Sequence, residues 1–177
     1  MSHGIRSSSV HSNQSLKRLF TFQEFSIANY ASQAQLYAGD GEQAFLVTVM
    51  EIAKRQTALA TEIGNLLSTR RMFLQREGFP MSLTGLNYLG AAYVARRILV
   101  KQPELIAALR KCVSELSGDP EGQVLGRKAL ASEEENLRQL NRVFGETTDP
   151  ADRSVAIRPR RSIGAKSPHE LQWASSI

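Results

Sequence analysis

Glu133 has the most chemical potential of any residue in this chain, because helical periodicity aims it inward. Over residues 125–144, Leu130, Leu137, Leu140 and Phe144 recur at helical spacing and mark one apolar stripe. At about 100° per residue Glu133 falls inside that stripe, Glu134 lies near its edge and Glu135 outside it. A carboxylate aimed into an apolar core needs a cation, a metal ion or hydrogen-bond donors to offset its lost hydration. Three other periodic segments carry one polar residue each inside their stripes: Gln23, Gln56 and Gln102. Gln23 and Gln56 are 33 residues apart, and Gln102 and Glu133 are 31 apart, so the chain reads as two similar halves. Antiparallel pairing within each half brings the four side chains to about one level. Three amides can donate to one carboxylate there, with Tyr30 or Tyr88 adding a hydroxyl.

Four helices must position these residues. The first is predicted to open at Thr21, where Thr21 and Glu24 form a capping-box pattern, and to stop at Gly39. Its stripe reads Gln23, Ile27, Tyr30, Ala34, Tyr37, with Leu16 and Leu19 extending the period backwards. Asp40 can cap the second helix, whose stripe runs Phe45, Val49, Ile52, Gln56, Leu59, Ile63, Leu66. The third starts near Ser82 or Thr84 and continues through Leu99, Gln102, Ile106 and Leu109, with Pro103 expected either to kink it or to start a second, shorter helix. Gly118-Asp119-Pro120 supplies a stop, an N-cap and a first-turn proline for the fourth, which is expected to end at Gly145. No segment alternates with the period of two that a strand requires. The expected fold is all-α, a four-helix bundle over residues 19–145.

This arrangement resembles the ferritin-like superfamily, in particular its rubrerythrin-type branch. The resemblance covers roughly residues 15–145 and rests on helix pattern and spacing. It implies a Glu on the first and third helices and a Glu-x-x-His on the second and fourth, together gripping two metal ions. At the matching positions this chain has Gln23 and Gln102, then Gln56 with Leu59, then Glu133 with Asn136. One carboxylate of six ligands remains, and His3, His11 and His169 all lie outside the helices so predicted. Two divalent ions bring four positive charges, which one carboxylate and neutral amides do not offset. The resemblance therefore implies the fold without the family's iron chemistry, and the expected cofactor is none. The leading expectation is a binding or scaffolding protein. The rival is a divergent metal-dependent oxidase or peroxidase, with iron held by Glu133 and Glu134 together with Glu51 or Glu62. The resemblance also implies a homodimer paired along the first two helices.

The net charge of +5 is concentrated at the ends. Residues 1–18 carry Arg6, Lys17 and Arg18 without an acid, and residues 153–177 carry Arg153, Arg158, Arg160, Arg161 and Lys166 against Glu170. The span between them is slightly acidic. Both ends are rich in Ser, Arg or Pro, so residues 1–18 and 146–177 are expected to be disordered basic tails. The five basic residues of the C-terminal tail read either as a solubilising segment or as a motif that docks on an acidic partner, a shell protein, phospholipid or nucleic acid. Nucleic-acid binding in the manner of Dps proteins would rest on charge alone, because aromatic residues do not interleave with these bases. No apolar run approaches the ~20 residues of a membrane span. The single Cys112 has no base placed to activate it and suits a reducing compartment, so a cytoplasmic protein is expected.

One topological expectation separates the resemblance from a simple up-and-down bundle. In the ferritin-like arrangement the second and third helices run in the same direction, and their connection spans the bundle. A helix over residues 40–69 is about 45 Å long, and residues 70–83 reach about 48 Å when extended. The crossover fits if the second helix ends by Thr69. Met72, Phe73 and Leu74 should then pack along the flank, with Pro80 delaying the next helix.

Overall fold

In a computed structural model, which describes residues 3–74, 79 and 89–147, five helices succeed one another. They are α1 (His3–Glu24), α2 (Ile27–Gln33), α3 (Gln43–Thr69), α4 (Ala91–Glu115) and α5 (Pro120–Thr147). The described residues contain no strand. An isolated bridge pairs Tyr37 with Gly90, through Tyr37 N–H donating to the Leu89 carbonyl at 3.1 Å and Ala91 N–H to the Tyr37 carbonyl at 2.7 Å. No helix among the described residues is long and apolar enough to cross a membrane.

Two apolar clusters form the core and give each helix its direction. One joins Ala28 and Ala31 of α2, Phe45 and Ile52 of α3, Val94 and Ile98 of α4, and Leu140 of α5. The other joins Leu16 and Leu19 of α1, Ile63 and Leu67 of α3, Leu109 and Leu116 of α4, and Ala129 of α5. Early α3 and early α4 thus share one end, and their late turns share the other. α3 and α4 run in the same direction, and α1–α2 and α5 run opposite to them. Polar residues separate the two clusters: Gln23, Gln56, Gln102, Glu133 and Asn136 are all buried.

The N-terminal reading is corrected. Residues 1–18 were expected to be a disordered tail, yet α1 begins at His3 and both Leu16 and Leu19 are fully buried. Ser12 and Ser15 occupy the same stripe and are buried with them. Small polar residues on the inward face conceal a helical period that hydropathy alone measures. Thr21 opens nothing; its hydroxyl donates to the Lys17 carbonyl one turn back, at 3.0 Å.

The first helix is also not continuous to Gly39. It breaks at Phe25-Ser26, and α2 restarts with Ser26 as its N-cap, whose Oγ accepts from Asn29 N–H at 3.0 Å. Asn29 Nδ2 donates to the Gln23 carbonyl at 2.6 Å and the Glu24 carbonyl at 3.2 Å, satisfying acceptors that the break releases. The restart resets the helical phase, so Ala28, Asn29 and Ala31 face inward and Tyr37 is 69% exposed. Asp40 does not cap α3. Glu42 stands at that position, and its carboxylate accepts from Gly39 N–H at 3.3 Å.

The third helix does not start near Ser82 or Thr84: α4 begins at Ala91, after Gly90, whose extended backbone is bridged to Tyr37. The other boundaries agree more closely. α3 ends at Thr69, and Asp119 caps α5 by accepting from Gly122 N–H at 3.0 Å. α4 is one helix through Pro103, and α5 passes Gly145 to Thr147. After α3, Met72 and Leu74 pack against the second apolar cluster, but Phe73 points outward at 91% exposure. Pro80, Ser82, Thr84 and Tyr88 lie outside the described residues. So do the docking candidates Arg153, Arg158, Arg160, Arg161 and Lys166.

Candidate functional site

Three long helices meet at Glu133, which is 0% exposed. Gln56 Nε2 on α3 donates to its Oε1 at 2.8 Å. Gln102 Nε2 on α4 donates to Oε2 at 2.5 Å and to the Glu133 backbone carbonyl at 3.1 Å. Asn136 Nδ2, one turn along α5, donates to Oε2 at 2.9 Å. Every one of these side-chain partners is a donor, which is what an ionised carboxylate accepts.

The compensating positive charge comes from a residue off the stripe. Arg55 reaches Asn136 Oδ1 with Nε at 3.0 Å and Nη2 at 2.8 Å, and Nη2 also donates to Gln139 Oε1 at 2.6 Å. The Asn136 amide therefore lies between a guanidinium and a carboxylate, its oxygen toward the positive group and its NH2 toward the negative one. A dipole so aligned is stabilised from both sides. Arg55 also sits 3.9 Å from Glu51, a weak surface contact. The other arm of the network runs to α2: Ser26 Oγ donates to Gln56 Oε1 at 2.6 Å, and Thr57 Oγ1 donates to Asn29 Oδ1 at 3.0 Å.

Of the six positions singled out by spacing, Gln56, Gln102, Glu133 and Asn136 come together as one bonded set. Leu59 does not join them and packs in the second apolar cluster. Gln23 is buried at 0% exposure, but neither its Nε2 nor its Oε1 has a hydrogen-bond partner among the described residues. It belongs to the layer by depth and not by bonding. Tyr30 contributes an edge-on ring contact with Phe79 at 5.2 Å, not a hydroxyl to the network. Sequence reasoning missed Arg55, Ser26 and Asn29. Arg55 adjoins Gln56, one position off the inward stripe, and only its length carries the guanidinium around to α5.

These residues do not fit a dinuclear metal centre. Glu133 already accepts three amide donors, Gln56 Oε1 is engaged by Ser26, and Leu59 offers no ligand atom. Among the described residues no three His, Cys, Asp or Glu side chains converge. The shifted ligand set is corrected as well. Glu51 is 56% exposed, Glu62 is paired on the surface with Lys128 at 2.6 Å, and Glu134 with Arg110 at 2.8 Å. Turning these acids inward would strip their hydration and break both ion pairs. Cys112 is buried, and that burial pushes its thiol above its ordinary value, away from the reactive thiolate.

A cavity of about 270 Å³ opens where α1 breaks. Phe22, Phe25, Ile27, Ala28, Ile98 and Leu105 make its apolar wall, and Gln56 and Gln102 are its polar contact with the buried layer. Thr21, Ser26 and Lys101 complete the lining, with the Lys101 ammonium 3.0 Å from Glu104 on the exposed face.

The far end of the bundle is clamped by ions. Arg70 at the end of α3 forks onto Asp119, with Nη2 2.8 Å from Oδ1, and reaches Glu121 at 3.2 Å. The hydrogen bond from Arg70 holds the Asp119 carboxyl below its usual range despite burial, with the Gly122 N–H helping. Ser15 donates to Glu115 at 2.6 Å and lowers its carboxyl, and Arg18 pairs with the same oxygen. These contacts tie α3 to the start of α5 and α1 to the end of α4.

The chain matches no protein-family model, no curated protein and no solved structure.

Proposed function

We propose that this chain is a ferritin-like bundle in which a charge-balanced amide layer stands in place of a dinuclear metal centre, and that it works as a binding or scaffolding protein. The observation that carries the proposal is the saturation of Glu133 by Gln56, Gln102 and Asn136, with Arg55 supplying the positive charge through Asn136. A carboxylate so occupied has no need of a cation and little capacity to hold one.

Helix direction supports the ferritin-like reading. With α3 and α4 running the same way, the end of α3 at Thr69 and the start of α4 at Ala91 lie at opposite ends, which a crossover connection would join. Phe79, within that connection, packs edge-on against Phe25 at 5.8 Å, beside the break in α1, as a crossover on that flank would. The reading includes a protein partner or a second copy of the chain, the basic residues beyond 148 as a docking element, and a cytoplasmic setting suited to one buried thiol.

Iron loading tests it. Purified protein incubated anaerobically with ferrous iron, exposed to air and desalted should retain no stoichiometric metal and consume no oxygen above the blank. Retention of about two irons per chain, the complement of an intact site, would sink the proposal. One retained iron that is lost in a Glu133→Ala variant would also count against it.

A further inference from the structure

The geometry points to the cavity between the α1 break and α4 as a binding site for a neutral, largely apolar molecule carrying one hydrogen-bond donor, a phenol or comparable aromatic alcohol. The inference rests on the proposed loss of metal chemistry and names what the binding site takes instead.

Size sets the first limit. An apolar cavity of about 150 Å³ accommodates one benzene ring, so 270 Å³ takes a fused pair of rings or a ring with a short arm. Phe22 and Phe25 line it on one side and Ile98 and Leu105 on the other, which suits a flat aromatic body. The helix break opens the site by separating the last turn of α1 from the first of α2.

Polarity sets the second limit. The Gln102 side chain is buried and turned by its Nε2, which is held by Glu133. Its carbonyl oxygen accepts no hydrogen bond among the described residues, and Gln102 lines the cavity. A ligand donor satisfies that oxygen without disturbing the layer, because the amide's orientation is already imposed from behind. Gln56 differs, since its oxygen is taken by Ser26. The inner wall thus presents one acceptor ready for one donor.

Charge sets the third. Glu133 lies directly behind both amides and its counter-charge, Arg55, is already engaged through Asn136, so an anionic group driven inward meets a carboxylate and no free cation. Lys101 at the mouth is already paired with Glu104, so a charged group of either sign entering there loses hydration without gaining a free partner. A neutral donor avoids both costs, each of which grows as water is excluded.

Three probes on the full chain separate these limits: 2-naphthol, its methyl ether 2-methoxynaphthalene, and 2-naphthoate. Calorimetry should give one 2-naphthol per chain, at least about fivefold weaker binding of the ether for one lost hydrogen bond, and no measurable binding of 2-naphthoate. Amide shifts on adding 2-naphthol should centre on Ile98 and Gln102. Thr21→Trp, at an exposed position on the rim, should abolish binding with an unchanged urea midpoint. Equal affinity of alcohol and ether, binding of the anion, shifts elsewhere, retention in Thr21→Trp, or no binding of 2-naphthol would each overturn the inference. The iron experiment keeps the two proposals apart. Iron-free protein that ignores 2-naphthol defeats only the ligand inference, whereas retained iron defeats the reading beneath it.

Discussion

Replacing Glu133 with Leu should destabilise the bundle severely, and removing one of its partners as well should return part of the loss. In Glu133→Leu the donors Gln56 Nε2, Gln102 Nε2 and Asn136 Nδ2 lose their acceptor. A buried donor without a partner costs about 1–3 kcal/mol. Asn136 cannot turn away, because Arg55 holds its oxygen with two bonds. Gln56 and Gln102 line the cavity and can recover part of their hydration there. The expected net cost is therefore about 3–5 kcal/mol, which at roughly 2 kcal/mol per molar urea moves the unfolding midpoint down by about 2 M. Gln56→Leu alone should cost about 1–2 kcal/mol, by leaving Glu133 Oε1 without its donor. In the Glu133→Leu background the same substitution removes an orphaned donor, so it should stabilise by about 1 kcal/mol. Urea unfolding of the four proteins, followed by far-ultraviolet circular dichroism, gives the coupling directly. Additive effects, or a Glu133→Leu protein as stable as the parent, would refute the bonded layer.

Leu16→Ala should cost about 2–4 kcal/mol by urea unfolding, because Leu16 is fully buried among Leu19, Ile63 and Leu116; a cost near zero would restore the tail reading. Gly122→Ala should cost about 1–2 kcal/mol, since the new Cβ would stand 2.7 Å from Asp119 Oδ2 and displace the α5 cap. Gly145→Ala, with nothing within 4 Å, should be neutral or stabilising, and equal effects at the two glycines would contradict the crowding. Asp119 contributes stability that is complete above its ordinary carboxyl pKa and is lost as pH falls through its depressed folded value. Asp119→Asn should therefore flatten the acid limb of thermal stability below about pH 4, and an unchanged limb would show that the Arg70 pair carries no linkage.

Much of the site was legible because helical periodicity is a property of one segment at a time. The stripe on α3 needed only its own spacing, and Gln56 was placed inward by Ile52 before it and Ile63 after it. Glu133 followed from Leu130, Leu137 and Leu140 by the same reasoning. The Gly-Asp-Pro joint before α5 was equally local, because a cap satisfies donors within its own first turn. Local reasoning failed at α1. Ser12 and Ser15 are inward yet polar, and the break at Phe25-Ser26 shifted the phase of everything after it.

The sequence by itself placed Gln56, Gln102 and Glu133 inward on α3, α4 and α5 and required donors for that one carboxylate. Ile98, Ala129 and Asn136 proved more deeply buried than their stripe neighbours Leu99, Leu130 and Leu137. Only the tertiary structure decided which donors serve it. Gln23 had the same claim as Gln56 on spacing, but its amide reaches no partner, whereas Arg55 had no claim and supplies the counter-charge through Asn136. The physical reason is that periodicity reports the direction of a Cβ from its own helix axis. A hydrogen bond depends on the rotation of two helices against each other and on side chains long enough to leave their own face.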